Sequence, residues 1–274
     1  TVTMPLRLVY ASSLKDKLLA PRTVVILEPH ANLTLVEETL GDTQKHASLI
    51  TSLTELHIRE SAHLTHYQIQ NWGRNSRHFG TQRAHLKQDG QLLSLVASVG
   101  SQSSKIAVET HLEGSGAHSN LYGVTFGDAD QQFDYHTLQD HRAGQTSSNL
   151  LYKSALGNRS SSHYMGLIRI PKEAQKVDAY QANRNLLLNQ DAHADSIPML
   201  EILADDVRCS HGATVSPIDK EQAFYLLSRG IPEAQVQRMI VEGFFEQVLQ
   251  QLPSKHLQGL LRKHVESKLE GAAK

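Results

Sequence analysis

The chain has 274 residues, 39% hydrophobic and 20% charged, the balance of a folded protein rather than a disordered one. Aromatic residues make up only 5%, so the core has to come mainly from Leu, Val, Ile and Ala. The formal net charge of −1 lacks the basic excess of a dedicated nucleic-acid binder, and no apolar run reaches the length of a membrane span.

A lone cysteine, Cys209, excludes an internal disulfide framework and a self-contained four-cysteine metal site. It suits a reducing cytosol or an organelle stroma. Histidine is abundant, at 16 residues, yet no His-x-x-x-His or Cys-x-x-Cys pattern occurs. The chain opens on Thr1 with a strand-like run almost at once, and reads as a piece of a longer protein.

From Arg22 to about Val215 the sequence predicts many short strands, among them Thr23 to Leu27, Leu33 to Val36, Glu55 to Ile58, His66 to Ile69, Leu92 to Val96, Ile106 to Val108 and Leu121 to Phe126. Turn signals fall between them: Gly41-Asp42, Asn71-Trp72-Gly73, Asp89-Gly90, Gly114-Ser115-Gly116, Gly127-Asp128 and Gly157-Asn158. No crossover helix pattern interrupts this stretch. Four segments repeat a small residue ahead of an alternating strand, with Ala31, Ala62, Gly90 and Gly116 as the small residues. Such spacing suggests a solenoid, in which each coil buries its face against the next. A parallel β-helix fits best; a β-sandwich is the rival.

After Ile218 the pattern turns helical. Asp219 offers an N-cap with Gln222 as a capping-box partner, and Gly230 a C-terminal stop. Ala223, Phe224, Leu226 and Leu227 form a first apolar face, and Pro232 suits a first helical position. Val236, Met239, Ile240, Phe244, Val248 and Leu252 continue a second stripe. Beyond Pro253-Ser254, residues Leu257, Leu260, Leu261, Val265 and Leu269 form a third. The expected division is a β-helix core over 1–217 and a helical lobe over 218–274.

The sharpest chemical feature is Asp205 to Thr214. On a strand, Cys209 and His211 project from one face, and thiolate and imidazole are ligands for iron or zinc. One pair cannot complete a four-coordinate site, so a metal would need ligands from a partner. The ordinary reading of such a pair is packing plus a hydrogen bond. His136 and His141, five apart, share no face and read as structural or surface residues. Asp205 and Asp206, as strand neighbours, point to opposite sides and make a poor acid/base pair. There is no Gly-x-Ser-x-Gly elbow and no Gly-x-x-x-x-Gly-Lys phosphate loop, so neither a hydrolase of that type nor an ATPase of that type is expected.

The region from Gln175 to Gly243 resembles the SufB/SufD family of iron–sulfur cluster assembly scaffolds. The matching blocks are Ala174 to Gln181, Asn183 to Leu188, Pro198 to Ile202, Asp205 to Thr214 and Phe224 to Ile231, in that order. A weaker likeness extends through Asp134 to Thr137, His141, Ser148-Asn149 and Tyr152-Lys153. The run Cys209-Ser210-His211-Gly212-Ala213-Thr214 is similar to SufD. The cysteine with which SufB builds a cluster has no counterpart here.

The resemblance implies a right-handed parallel β-helix that pairs with SufB through its terminal strands, with His211 and Cys209 near the nascent cluster. It implies a SufC-type ATPase docked on the C-terminal helices, with Phe224, Tyr225, Arg229, Gly230 and Phe244 as candidate contacts. It also implies that the iron–sulfur cluster is assembled on the complex and that SufC hydrolyses the ATP, with no cofactor held stably by this chain alone. Neither nucleic acid nor membrane is an expected partner, and self-pairing in isolation is left open. An N-terminal helical domain, usual in the family, has little room before Arg22. The alternatives are a SufB-type scaffold, opposed by the single cysteine, and a carbohydrate-active β-helix enzyme, opposed by the helical C-terminal segment.

Overall fold

The computed structural model describes residues 4–12, 17–41, 47–252 and 255–272. Strands β1 (Leu6–Ser12), β2 (Lys17–Leu19), β3 (Arg22–Leu27), β4 (Asn32–Gly41), β5 (Ser48–Ile58), β6 (His63–Asn71), β7 (Ser76–Leu86) and β8 (Gln91–Ser98) are followed by β9 (Ser103–Leu112), β10 (His118–Gly127), β11 (Gln132–His141) and β12 (Ser147–Leu156). Then come β13 (Ser161–Ile170), β14 (Val177–Leu187), β15 (His193–Ile202), β16 (Val207–Pro217) and the helices α1 (Lys220–Ser228), α2 (Glu233–Leu249) and α3 (Lys255–Ala272).

From β4 onward consecutive strands alternate between two eight-stranded sheets. One runs β1-β4-β6-β8-β10-β12-β14-β16; the other runs β15-β13-β11-β9-β7-β5 and ends on β2, with β3 also on β5. Every pairing is parallel, as in β10 with β12, where Leu121 faces Leu150. The result is the expected parallel β-helix.

The corners explain the repeat. His30, Ser61, Asp89, Gly116, Gln145 and Lys176 all have positive φ, between 53° and 75°. Each donates its backbone N–H to the next coil, as from Ser61 to the Gln88 carbonyl and from Asp89 to that of Ser115. The residue after each turns inward and is small where the coils pack closely: Ala62 and Ala117 are fully buried. The fourth small residue of the repeat is therefore Ala117, one position beyond the expected Gly116, which instead supplies the left-handed turn. Gly41, Asn71 and Gly127 close strands rather than sit in turns; Asp42 lies outside the described residues.

Two layers of apolar burial result. Between the sheets lie Leu56, Ile58, Leu86, Leu92, Val96, Leu121, Leu150, Tyr135 and Tyr164. Polar groups share this interior, some in hydrogen-bonded chains: His66 bridges Glu37 (2.7 Å) and Gln82 (3.0 Å), and Gln82 donates to Ser94 at 3.0 Å. The second layer is on the outer face of the β1–β16 sheet. There Tyr67, Leu95, Tyr122, Val124, Phe126 and Leu151 pack under Val241, Phe245, Val248 and Leu252, with Leu261 and Val265 of α3. Helices α2 and α3 thus share a core with the β-helix.

Asp219 caps α1, accepting from the backbone N–H of Glu221 at 2.8 Å and Gln222 at 3.2 Å. Pro232 is the N-cap of α2, one position before the expected first turn. Pro253-Ser254 and the side chains of Leu257, Leu260 and Leu269 lie outside the described residues.

Gly116 and Gly243 make opposite predictions. A Cβ at Gly116 would collide with Asp89 Oδ1 at a φ of 75°, whereas one at Gly243, inside α2, meets nothing within 4 Å. Gly116→Ala should cost about 1–3 kcal/mol, while Gly243→Ala should gain about 0.5–1 kcal/mol from helix propensity. Urea unfolding midpoints at unchanged m-value check both.

Candidate functional site

Strand β16 is the last of its sheet, paired to β14 on one side and to nothing described on the other. Its side chains alternate. Cys209 and His211 follow the inward rows of Ala179 and Gln181, their register partners, while Ser210 and Gly212 face out. The expected common face is therefore present. The pair points toward the interior axis at the end of the coil, where no further described strand pairs beyond it.

The two residues sit in different surroundings. Cys209 packs half-buried against a cluster of Ile168, Ile170, Ala174, Val177 and Ala179. Burial, with help from the nearby Asp178 carboxylate, pushes its thiol up to about 11. His211 is exposed. Thiol and imidazole are a soft and a borderline donor, but among the described residues no three His, Cys, Asp or Glu side chains are placed to hold a metal ion.

Beneath β16 runs a row that sequence reasoning quoted without giving it a role: Gln181, Asn183 and Asn185, all inward on β14. Gln181 spans the interior, donating to the carbonyls of Gly166 (3.3 Å) and Met199 (3.2 Å) and accepting from the Tyr164 hydroxyl at 3.3 Å. Asn185 donates to Asn183 Oδ1 at 2.7 Å and to the Thr214 carbonyl of β16. This row ties the final rung to both sheets and gives the floor below His211 an amide character. The period-two spacing of Gln181-x-Asn183-x-Asn185 was the available signal. Two buried oxygens close by, Asn185 Oδ1 and Ser196 Oγ, have no hydrogen-bond partner.

The other histidines are accounted for locally. His141 is buried, with Nδ1 2.7 Å from Thr146 Oγ1 and Nε2 2.8 Å from Ser148 Oγ, and burial lowers it to about 4. His136 faces out and pairs with Asp134 at 3.1 Å. Asp205 and Asp206 lie exposed in the bend before β16.

Helix α1 buries none of its residues. Phe224 is 72% exposed and Tyr225 57%, with Leu227 beside them. Arg229 lies over the Tyr225 ring at 5.1 Å, and Gly230 turns the chain at a φ of 82°. Phe244 is elsewhere: half-buried on α2, it packs toward the sheet with Lys153 Nζ 4.5 Å from its ring centre.

A parallel β-helix with a polar-floored end and a helical layer on one face is a β-solenoid. The family model for the SUF system FeS cluster assembly SufBD core domain matches residues 9–244, and the chain belongs to that family. It is 34% identical over 224 residues to an iron-sulfur cluster assembly SufBD family protein of Mycobacterium tuberculosis, covering 79% of this chain and 56% of that protein. A SufBD family protein of Staphylococcus epidermidis is 29% identical over 235 residues, covering 86% of this chain and 50% of that one. The chain thus spans about half the length of the curated relatives it matches.

The Cys209 environment sets its reactivity. Thiolate is the nucleophile, so a rise from 9 to about 11 leaves roughly a hundredfold less of it near pH 8. Alkylation by iodoacetamide should be slow there and keep accelerating above pH 9. Asp178→Asn, which removes a negative charge, should shift the profile toward lower pH.

Proposed function

We propose that this chain is a SufD-like, non-catalytic scaffold subunit of a cytoplasmic iron–sulfur cluster assembly complex. In this reading it pairs with a SufB-type subunit through the open end formed by β15 and β16, and a SufC-type ATPase docks on α1. The observation that carries the reading is the position of Cys209 and His211, side by side on an unpaired edge strand within a family defined by cluster assembly. An edge strand offers a row of free N–H and C=O groups, so a second coil can continue the sheet and bring its own ligands to this pair. The iron and sulfide of the nascent cluster are cargo here, held jointly rather than by this chain alone.

Support for the ATPase site is physical as well as familial. An exposed helix carrying Phe224, Tyr225 and Leu227 is a costly thing to leave in water, and aromatic anchors beside an arginine are what interface centres favour. Removing everything after Pro217 would uncover the apolar face beneath α2 and α3, so point substitutions give the cleaner test. Phe224→Ala with Tyr225→Ala should weaken ATPase binding by about 2 kcal/mol, roughly thirtyfold in Kd, with the β-helix intact by circular dichroism. Unchanged affinity would remove α1 from the interface.

The central experiment is co-purification with SufB- and SufC-type partners, followed by iron and sulfide analysis. His211→Ala should leave complex yield and Tm unchanged and cut cluster content severalfold, because a methyl group neither ligates iron nor carries a proton. Cys209→Ser should be milder. Normal cluster content in a stable His211→Ala complex would exclude His211 from assembly.

A further inference from the structure

The helical layer is fastened to the β-helix by two lysines that enter its underside from opposite partners. Lys153, on the outward row of β12 between Val124 and Arg184, is 4% exposed. Its ammonium donates to the Phe244 carbonyl on α2 at 2.7 Å and lies against the Phe244 ring. Lys268, near the end of α3, reaches the other way and donates to Gln131 Oε1, at the corner between β10 and β11, at 2.9 Å. Among the described residues neither has a carboxylate as its hydrogen-bond partner. The charged group that acts on Lys153 is Arg184 on β14, which donates to Gln247 of α2 at 3.1 Å. Around Lys268 stand Arg74 and Asp128. Asp128 is already engaged, with Oδ2 2.7 Å from Arg74 and Oδ1 accepting from the Ala129 N–H and Asn158.

One oxygen acceptor and a ring face do not replace the water an ammonium loses on burial, so such a place favours the neutral amine. We propose that Lys153 and Lys268 make the α2–α3 layer a pH-sensitive clasp, which grips the outer sheet face more tightly as the two ammonium groups lose their protons. Burial supports this: it lowers Lys153 to about 8, with Arg184 adding to the effect, and Lys268 to about 7, with Arg74 adding and Asp128 opposing. Once undocked, both return toward the ordinary lysine value of 10.5. The undocked state therefore binds more protons between these limits, and docking strengthens as pH rises through that window. Below it both states are protonated, and the cost of desolvating buried Lys153 and half-buried Lys268 as cations opposes docking. Because α1 leads directly into α2, the clasp also sets how firmly α1 is presented.

Hydrogen–deuterium exchange of the full chain, read as protection factors corrected for intrinsic rate, tests this between pH 6 and 10. Protection in α2 and α3 should rise with pH by up to about tenfold per unit for each lysine, while β10 and β12 stay flat. Lys153→Met with Lys268→Met should raise α2–α3 protection at pH 7 and abolish the rise. Lys153→Arg with Lys268→Arg, which keeps the charge throughout, should give low, flat protection and decides the matter if the methionine variant fails to fold. A flat wild-type profile, or a rise that survives in either double variant, would overturn the proposal.

Discussion

A strand in a parallel coil has no partner within its own hairpin; its N–H and C=O groups are satisfied only by the coils before and after it. That dependence dictates most of what is seen here. The strands stay in register because a one-residue slip would turn every inward Leu outward. The corners must return the chain to the same height, which is why a left-handed residue recurs from His30 to Lys176 even where it is not glycine. It also leaves β16, the last described strand of its sheet, paired on one side only.

The two outer faces answer the same constraint differently. On the β1–β16 sheet the outward rows are apolar, with Tyr67, Leu95 and Tyr122 in line, and they need the helices as cover. On the other sheet the outward rows mix exposed apolar residues such as Ile26 and Phe79 with ion pairs, Arg22 against Glu55 and Arg83 against Glu109. Such exposed pairs add little stability, but they keep that face wet. Asp140 is the exception. Burial alone would raise its carboxyl, yet His111, Arg169 and Arg142 all donate to it and hold it well below the usual range. The imidazoles of His57, His85 and His111 stack in the same row, which runs on through Asp140 to Arg169.

The strands with a clean apolar alternation, such as Leu92 to Val96 and Leu121 to Phe126, were legible in the sequence, as was the coil repeat. Strands β7 and β11 were harder to delimit because their inward rows mix Gln82, Thr137 and Gln139 with the apolar residues, so polarity no longer marks the solvent side. The shared face of Cys209 and His211 followed from a spacing of two. That they lie at the exposed end of the coil did not, since nothing in a local pattern says which rung is last. The packing of α2 and α3 onto the sheet was equally hidden. Their apolar stripes were plain, but the complementary outward row of Tyr67, Leu95 and Tyr122 is assembled from residues far apart in sequence.

Being last has a consequence for β16. In a stack where each coil is supported only by its neighbours, the interior rungs are braced on both sides and a terminal rung on one. Fraying therefore starts at the ends, and the rung bearing Cys209 and His211 is among the first to loosen in the lone chain. In the pairing proposed above, a coil added to β16 would turn that terminus into an interior rung, so ordering of the pair and capture of the neighbour would become one cooperative event.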